Sequence, residues 1–315
     1  MLTTRFTELI GCSLPIQLAG MGGLRSPSLP AAVSEAGGLG TVGAAGMGPA
    51  ELAEYLDRIA AQTARPIGVN FLMPFVDRDA VAVAAGRVRL VEFFSGEPER
   101  KLVALVHADG ALAGWQVGSR REAIAAAAAG CDLVVAQGIE AGGHVRGKIG
   151  MVTLLGQVLD AVDLPVLAAG GIGTGRAMAA ALAAGAAGVR VGTRVLAATE
   201  AEDTVVTEVF ALDWSADSPH RVLRSGVEAV QAFAGDIVGE YPPDDRGART
   251  PIHRFETLVP MAGTSGTVAA MSLWAGESVG AVTRLEPAAV IARELAADAE
   301  RLLRRWGEPA TTGGA

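Results

Sequence analysis

Short apolar runs punctuate the chain at regular intervals, each followed by a stretch with helical spacing. The runs lie at residues 15–20, 39–44, 67–72, 90–95, 112–117, 133–137, 166–169 and 188–192. They are almost continuously apolar rather than alternating, as parallel strands covered on both faces require. Helical patterns fill the gaps, most clearly at 27–36, 49–61, 120–129 and 176–184. Pro49 stands at a first helical position, with Glu51 and Glu54 near the positive end of the helix dipole. Gly37, Gly130 and Gly185 each follow a helical pattern, where a left-handed cap residue belongs. Eight strand–helix alternations predict an α/β protein with a (β/α)8 TIM barrel. An open doubly wound sheet is the alternative, and the strand count favours the barrel.

After the eighth run the rhythm fails. Residues 201–272 hold mixed segments and the loop Tyr241-Pro-Pro-Asp-Asp-Arg-Gly-Ala248, too long for an ordinary connection. This region is expected to be a small helical insertion, a lid or substrate domain. Residues 1–200 plus 273–315 would then form the barrel. A long closing helix is predicted over 286–306, with Pro287 in its first turn and a frayed tail at 308–315.

Composition narrows the function. Half of the 315 residues are hydrophobic and only 4% aromatic, so a large core is built from small side chains. The net charge is −8 and no basic stripe is present, which argues against nucleic acid as a partner. The two cysteines, Cys12 and Cys131, form no disulfide framework and no zinc spacing, in keeping with a reducing cytoplasm and with no metal. The N-terminus shows no secretory pattern, and the apolar stretch 177–191 is interrupted by Gly185, Gly188 and Arg190, so no membrane span is expected.

In a barrel the functional groups gather where the strands end. Those ends read Ala19-Gly-Met-Gly-Gly23, Gly68-Val-Asn-Phe71, Gln137-Gly138, Ala168-Ala-Gly-Gly-Ile-Gly-Thr-Gly175 and Val191-Gly-Thr-Arg194. The loops after the seventh and eighth strands are the usual phosphate site of this architecture. Gly170, Gly171, Gly173 and Gly175 allow close backbone approach, and the N–H groups of Gly192 and Thr193 can donate. Asn70 and Gln137 can read the edge of a flat heterocycle. Two amides and a phosphate cradle on one rim suggest a phosphorylated heterocyclic cofactor. His144 follows two glycines on the same rim and is the catalytic candidate, as a base or as an imidazolium near an anion. His107, His220 and His253 are expected elsewhere. Glu140 either orients the loop or meets His144. Both cysteines read as structural.

Taken together, these motifs resemble the nitronate monooxygenases, also called 2-nitropropane dioxygenases. The resemblance rests on Pro15-Ile-Gln-Leu-Ala-Gly-Met21, Glu35-Ala-Gly-Gly-Leu-Gly40, Pro66-Ile-Gly-Val-Asn70, Gln137-Gly-Ile-Glu-Ala-Gly-Gly-His144, Ala168-Ala-Gly-Gly-Ile172, Val191-Gly-Thr-Arg194 and Trp274-Ala-Gly276. It implies an FMN-binding barrel that oxidises alkyl nitronates with molecular oxygen, giving a carbonyl compound and nitrite without a nicotinamide. By the same resemblance, Gly20, Met21 and Gly22 approach the flavin ring, and Asn70 and Gln137 bond to it or to its ribityl chain. Gly142, Gly170, Gly171, Val191, Gly192 and Thr193 hold FMN, and His144 is the active-site histidine. Two departures stand out. Arg190 occupies a position where the family often has Gln, beside the phosphate or facing a helix, and only Tyr55 and Tyr241 are available for a pocket that is tyrosine-rich in the family.

The expected partners are a small-molecule substrate, molecular oxygen and, as an allowed assembly, a second copy in a homodimer. The main rival is an NAD(P)H-dependent FMN reductase of enoyl-thioester or quinone type, which shares these motifs and which Gly147-Lys148 resembles. A phosphate-binding barrel without redox chemistry is a second rival.

Overall fold

The computed structural model describes residues 2–21, 26–196, 204–210, 212, 219–243, 247–260, 263–284 and 286–307. The first six strands are β1 (Ile16–Leu18), β2 (Gly40–Gly43), β3 (Ile67–Leu72), β4 (Leu90–Phe94), β5 (Leu112–Val117) and β6 (Leu133–Gln137). A two-residue strand, β7 (Gly143–His144), leaves the barrel before β8 (Val166–Ala169) and β9 (Gly188–Val191) complete it. The parallel order is β1-β9-β8-β6-β5-β4-β3-β2. The ring closes between β1 and the residue before β2: Leu39 N–H donates to Ile16 O and Leu18 N–H to Leu39 O, both at 2.9 Å. The barrel reading is therefore correct, and four of the eight predicted runs coincide with their strands in full.

The helices α1 (Arg5–Ile10), α2 (Ser28–Glu35), α3 (Pro49–Ala60), α4 (Arg78–Ala85), α5 (Arg100–Ala108), α6 (Arg120–Ala129), α7 (Met151–Leu159) and α8 (Gly175–Ala183) complete the wall. Their boundaries follow local chemistry. Thr174 accepts from Ala177 N–H to start α8, and Gly130 at φ 98° ends α6 in the left-handed conformation. The amphipathic α3 turns Leu52, Tyr55, Leu56 and Ile59 inward. Small residues let the closing helix lie close, since a Cβ on Gly175 would stand 2.3 Å from Asp298 Cβ. Underneath, α1 plugs the start of the strands, where Phe6 and Ile10 pack with Leu39, Leu90, Leu133 and Leu167.

After β9 come α9 (Thr193–Leu196), β10 (Thr204–Thr207), β11 (His220–Leu223), α10 (Arg224–Ala232), β12 (Ile237–Glu240), β13 (Pro251–His253), β14 (Ser265–Gly266) and α11 (Ala288–Gly307). The helical insertion expected from the sequence is corrected here: its described residues form one α-helix and five short strands. Two three-stranded sheets result, β10-β11-β7 and β13-β12-β14. Short runs such as Val205-Val206 and Ile237-Val238 carry strand propensity that only distant partners reveal. The insertion packs its own core from Phe210, Val222, Val230, Val238, Ile252 and Met271. α11 falls within two residues of its predicted bounds, and the predicted tail lies outside the described residues. No described helix is long and apolar enough to cross a membrane.

Candidate active site

The chain leaves β6 through Gln137-Gly138 and returns over the rim as β7, which delivers His144. That strand pairs antiparallel with β11 and sets His144 opposite His220. The two rings lie 5.3 Å apart, and Trp274 meets His144 edge-on at 4.7 Å. His220 was expected away from the rim. The structure corrects this, because β11 returns from the insertion to complete a sheet with β7. Its ring is fully buried, and its Nε2 accepts the Phe210 N–H at 3.2 Å, so that nitrogen carries no proton.

His144 is buried, and its pKa is lowered from 6.5 to about 3, first by desolvation and second by His220. The imidazole is therefore neutral near pH 7. Of the two roles read from the sequence, the geometry supports proton acceptor or hydrogen-bonding group over standing cation.

The loop carrying His144 is held from beneath. Gln137 Nε2 donates to His144 O at 2.9 Å, and Gln137 Oε1 accepts from Arg146 N–H at 3.1 Å. Gln137 thus braces its own loop with both ends of its amide. Glu140 accepts from Met151 N–H at 2.9 Å with both oxygens, capping α7. Loop orientation is therefore the work of Glu140. Gly142 lies against the segment after the insertion, where an added Cβ would stand 2.5 Å from Gly276 N. Gly276 N–H in turn donates to Thr193 Oγ1 at 2.9 Å, tying β7, the strand-nine turn and the Trp274 segment together.

Gly170 and Gly171 follow β8 with φ of 105° and 71°, a region closed to most side chains. Val191 ends β9 in the core, and Gly192 and Thr193 turn outward after it. Among the described residues no acceptor is found for the N–H groups of Gly171 and Gly192, which are partly exposed on this rim. Arg194 is buried, bonds Glu286 at 2.9 Å, and keeps Nη1 without a hydrogen-bond partner among the described residues. This set of donors suits an anionic group.

On the opposite side Gly20 lies against Asn70, whose Cβ is 2.6 Å from where a Gly20 Cβ would be. Met21 borders a narrow cleft with Leu18, Leu29 and Tyr55. Gly22 lies outside the described residues. The Arg190 side chain neither joins the glycine loops after β8 and β9 nor faces a helix. It points into the barrel, where it pairs with Glu92.

The remaining candidates are structural. Burial pushes both Cys12 and Cys131 thiols up to about 12, which disfavours the nucleophilic thiolate. Tyr55 is buried on α3, and Tyr241 donates to Val259 O at 2.8 Å. His144, Trp274 and His220 thus form an aromatic cluster at the site without a tyrosine. No cluster of metal-ligating side chains occurs among the described residues.

Known proteins resemble this chain in sequence and in fold. The nitronate monooxygenase family profile matches residues 3–85 and 73–298. The chain is 37% identical over 257 residues to a (3aS,4S,5R,7aS)-5-hydroxy-7a-methyl-1-oxo-octahydro-1H-indene-4-carboxyl-CoA dehydrogenase of Rhodococcus jostii (strain RHA1), covering 76% of this chain and 70% of that protein. A probable nitronate monooxygenase of Staphylococcus aureus (strain Newman) is 29% identical over 300 residues, covering 76% and 83%. Among solved structures, FabK from Thermotoga maritima superposes with a TM-score of 0.82 at 30% identity over 98% of this chain and 99% of that one. Nitroalkane oxidase from Streptomyces ansochromogenes superposes with a TM-score of 0.77 at 30% identity, over 96% and 99%. The chain belongs to the nitronate monooxygenase family and is an oxidoreductase of its flavin-dependent kind.

Proposed function

We propose that the protein binds FMN and oxidises alkyl nitronates with molecular oxygen to a carbonyl compound and nitrite. The observation that carries this reading is the neutral, buried His144 on the same rim as the glycine-lined donors. Those donors fit a phosphorylated flavin. Gly170, Gly171, Gly192 and Thr193 would hold the phosphate, with Val191 fixing their turn. Gly20, Met21, Gly22, Asn70 and Gly142 would border the ring and ribityl chain, and Gln137 would contribute through the loop it braces. When bound, the flavin supplies the electron chemistry.

The chain's own residues do the rest. His144 accepts the proton from the carbon beside a nitro group, so a neutral nitroalkane can be used as well as its anion. Trp274 and the β7–β11 sheet cover that imidazole, which keeps it uncharged and able to accept a hydrogen bond or a proton from the substrate. Residues 201–272 act as the substrate-side domain over a barrel of 1–200 plus 273–315.

A second reading is favoured by two likenesses, the CoA dehydrogenase relative and FabK. In it the carbon acid is an acyl or enoyl thioester, and NAD(P)H reduces the FMN. The two readings separate in one experiment. FMN-loaded protein is followed anaerobically by visible absorbance while propionate 3-nitronate, NADH and NADPH are added in separate cuvettes. Loss of flavin absorbance with the nitronate alone is expected. Bleaching by either nicotinamide, with no response to nitronate, would replace the first reading with the reductase.

A further inference from the structure

Below the rim, six strands send polar side chains into the barrel: Gln17, Thr41, Asn70, Glu92, Gln116 and Arg190, all buried. Arg190 organises them. Its Nε and Nη2 donate to Gln17 Oε1 at 3.2 and 3.0 Å. Its Nη2 also meets Glu92 Oε2, and its Nη1 meets Gln116 Oε1. Glu92 Oε2 accepts from Gln17 Nε2 at 3.0 Å, and Gln17 Nε2 also reaches Thr41 Oγ1 at 3.3 Å. Glu92 Oε1 accepts from Asn70 Nδ2 at 3.1 Å.

The polarity of this chain of bonds has a consequence at Asn70. A carboxylate paired with a guanidinium only accepts, so it selects the NH2 end of the Asn70 amide. The carbonyl end then lies toward Gly20, with Asn70 Oδ1 3.3 Å from where a Gly20 Cβ would be. Removing the pair would free the amide to turn over. An arginine at position 190 is therefore not a spare charge for the phosphate.

We propose that Glu92 and Arg190 are positioning residues that fix Asn70 as a hydrogen-bond acceptor at the rim, committing that position to an N–H on the flavin ring. The proposal rests on the FMN reading. It extends that reading from which residues border the group to which edge of it Asn70 takes. Lys cannot replace Arg190, because a single ammonium lacks the fork that reaches Gln17, Gln116 and Glu92 together.

The test is a thermodynamic cycle on FMN affinity, read by quenching of free-FMN fluorescence, together with the position of the flavin visible band. The proteins are wild type, N70A, E92L/R190M and the triple variant. Paired apolar replacement leaves no buried lone charge, so the double variant is expected to fold. N70A and E92L/R190M should each weaken FMN roughly tenfold, the loss of one buried hydrogen bond, and the triple variant should be no weaker than either. Both should shift the visible band.

A folded double variant with wild-type affinity and spectrum would overturn the proposal and leave the FMN reading standing. Additive losses in the triple variant would do the same. Failure of the wild type to bind FMN would overturn both. If the double variant does not fold, R190K decides. A shifted band and weaker FMN support the positioning role, whereas an unchanged band and affinity refute it.

Discussion

The barrel interior and the rim bury ionisable groups in opposite ways. Inside, Glu92 and Arg190 pair with each other, and every bond they make is to another fixed side chain. At the rim, His144 and His220 are buried among Trp274 and backbone, and the result is a ring that stays uncharged down to about pH 3. A charge buried with its partner serves architecture, since it is satisfied before any ligand arrives. An imidazole buried away from water stays neutral, and a shift this large is more common at reacting sites than elsewhere. Each of the following variants is aimed at one side of that contrast.

The largest effect is expected from His144→Ala. Turnover of a neutral nitroalkane should fall by about 10²–10⁴ in kcat/KM, the usual worth of a positioned base. Turnover of the corresponding nitronate, which needs no proton removed, should fall far less. Steady-state kinetics on the paired substrates measures this. Equal losses on both would mean that His144 binds the nitro group rather than taking a proton.

Next comes Arg190→Met alone, which leaves Glu92 buried without its cation. Urea denaturation should show a loss of about 3–5 kcal/mol, and adding Glu92→Leu should restore most of it. If the single variant is as stable as wild type, the interior pair is not the architectural element its bonding suggests.

The contrast was only partly readable in the sequence. Continuous apolar runs predicted the strands, because burial on both faces leaves no other pattern, and Gly37, Gly130 and Gly185 do adopt positive φ after their helices. His144, Asn70 and the glycines after β8 and β9 became candidates by asking which residues end strands. His220 was missed, because its neighbour across the sheet is 76 residues away and nothing local marks β11 as the partner of β7. The strands of the insertion were missed for the same reason. Arg190 was seen as unusual but misplaced. Strand periodicity places a residue on an alternating face, yet a continuously apolar strand gives no sign of which face is the barrel interior. The one available hint was that Gln17, Glu92, Gln116 and Arg190 are polar residues inside predicted strands, and such residues need one another.

A third, smaller effect is the acid limb of stability. The unfolded chain takes up a proton on this imidazole below pH 6.5, whereas the folded chain resists it until about pH 3. More protons are bound in the unfolded state across that window, so stability rises with pH there and is lost as pH falls. From neutral pH to pH 5 the loss due to His144 is about 2 kcal/mol. Denaturation of wild type and His144→Gln at both pH values should therefore converge on acidification, the variant losing less. Parallel losses would mean that the folded ring titrates normally and that the rim is no drier than the surface.

The smallest effect separates the two causes that keep His144 neutral. Burial is the larger and His220 the smaller. His220→Gln removes the second imidazole while keeping a side-chain oxygen for the Phe210 N–H that now bonds Nε2. The strand pairing between β7 and β11 is backbone chemistry and should survive. Followed by NMR of the ring protons, His144 should titrate slightly higher in the variant and still well below 6.5. A rise all the way to 6.5 would reverse the order of causes. It would show that the neighbouring ring, more than the absence of water, holds the base neutral, and that His220 takes part in the proton chemistry of the site.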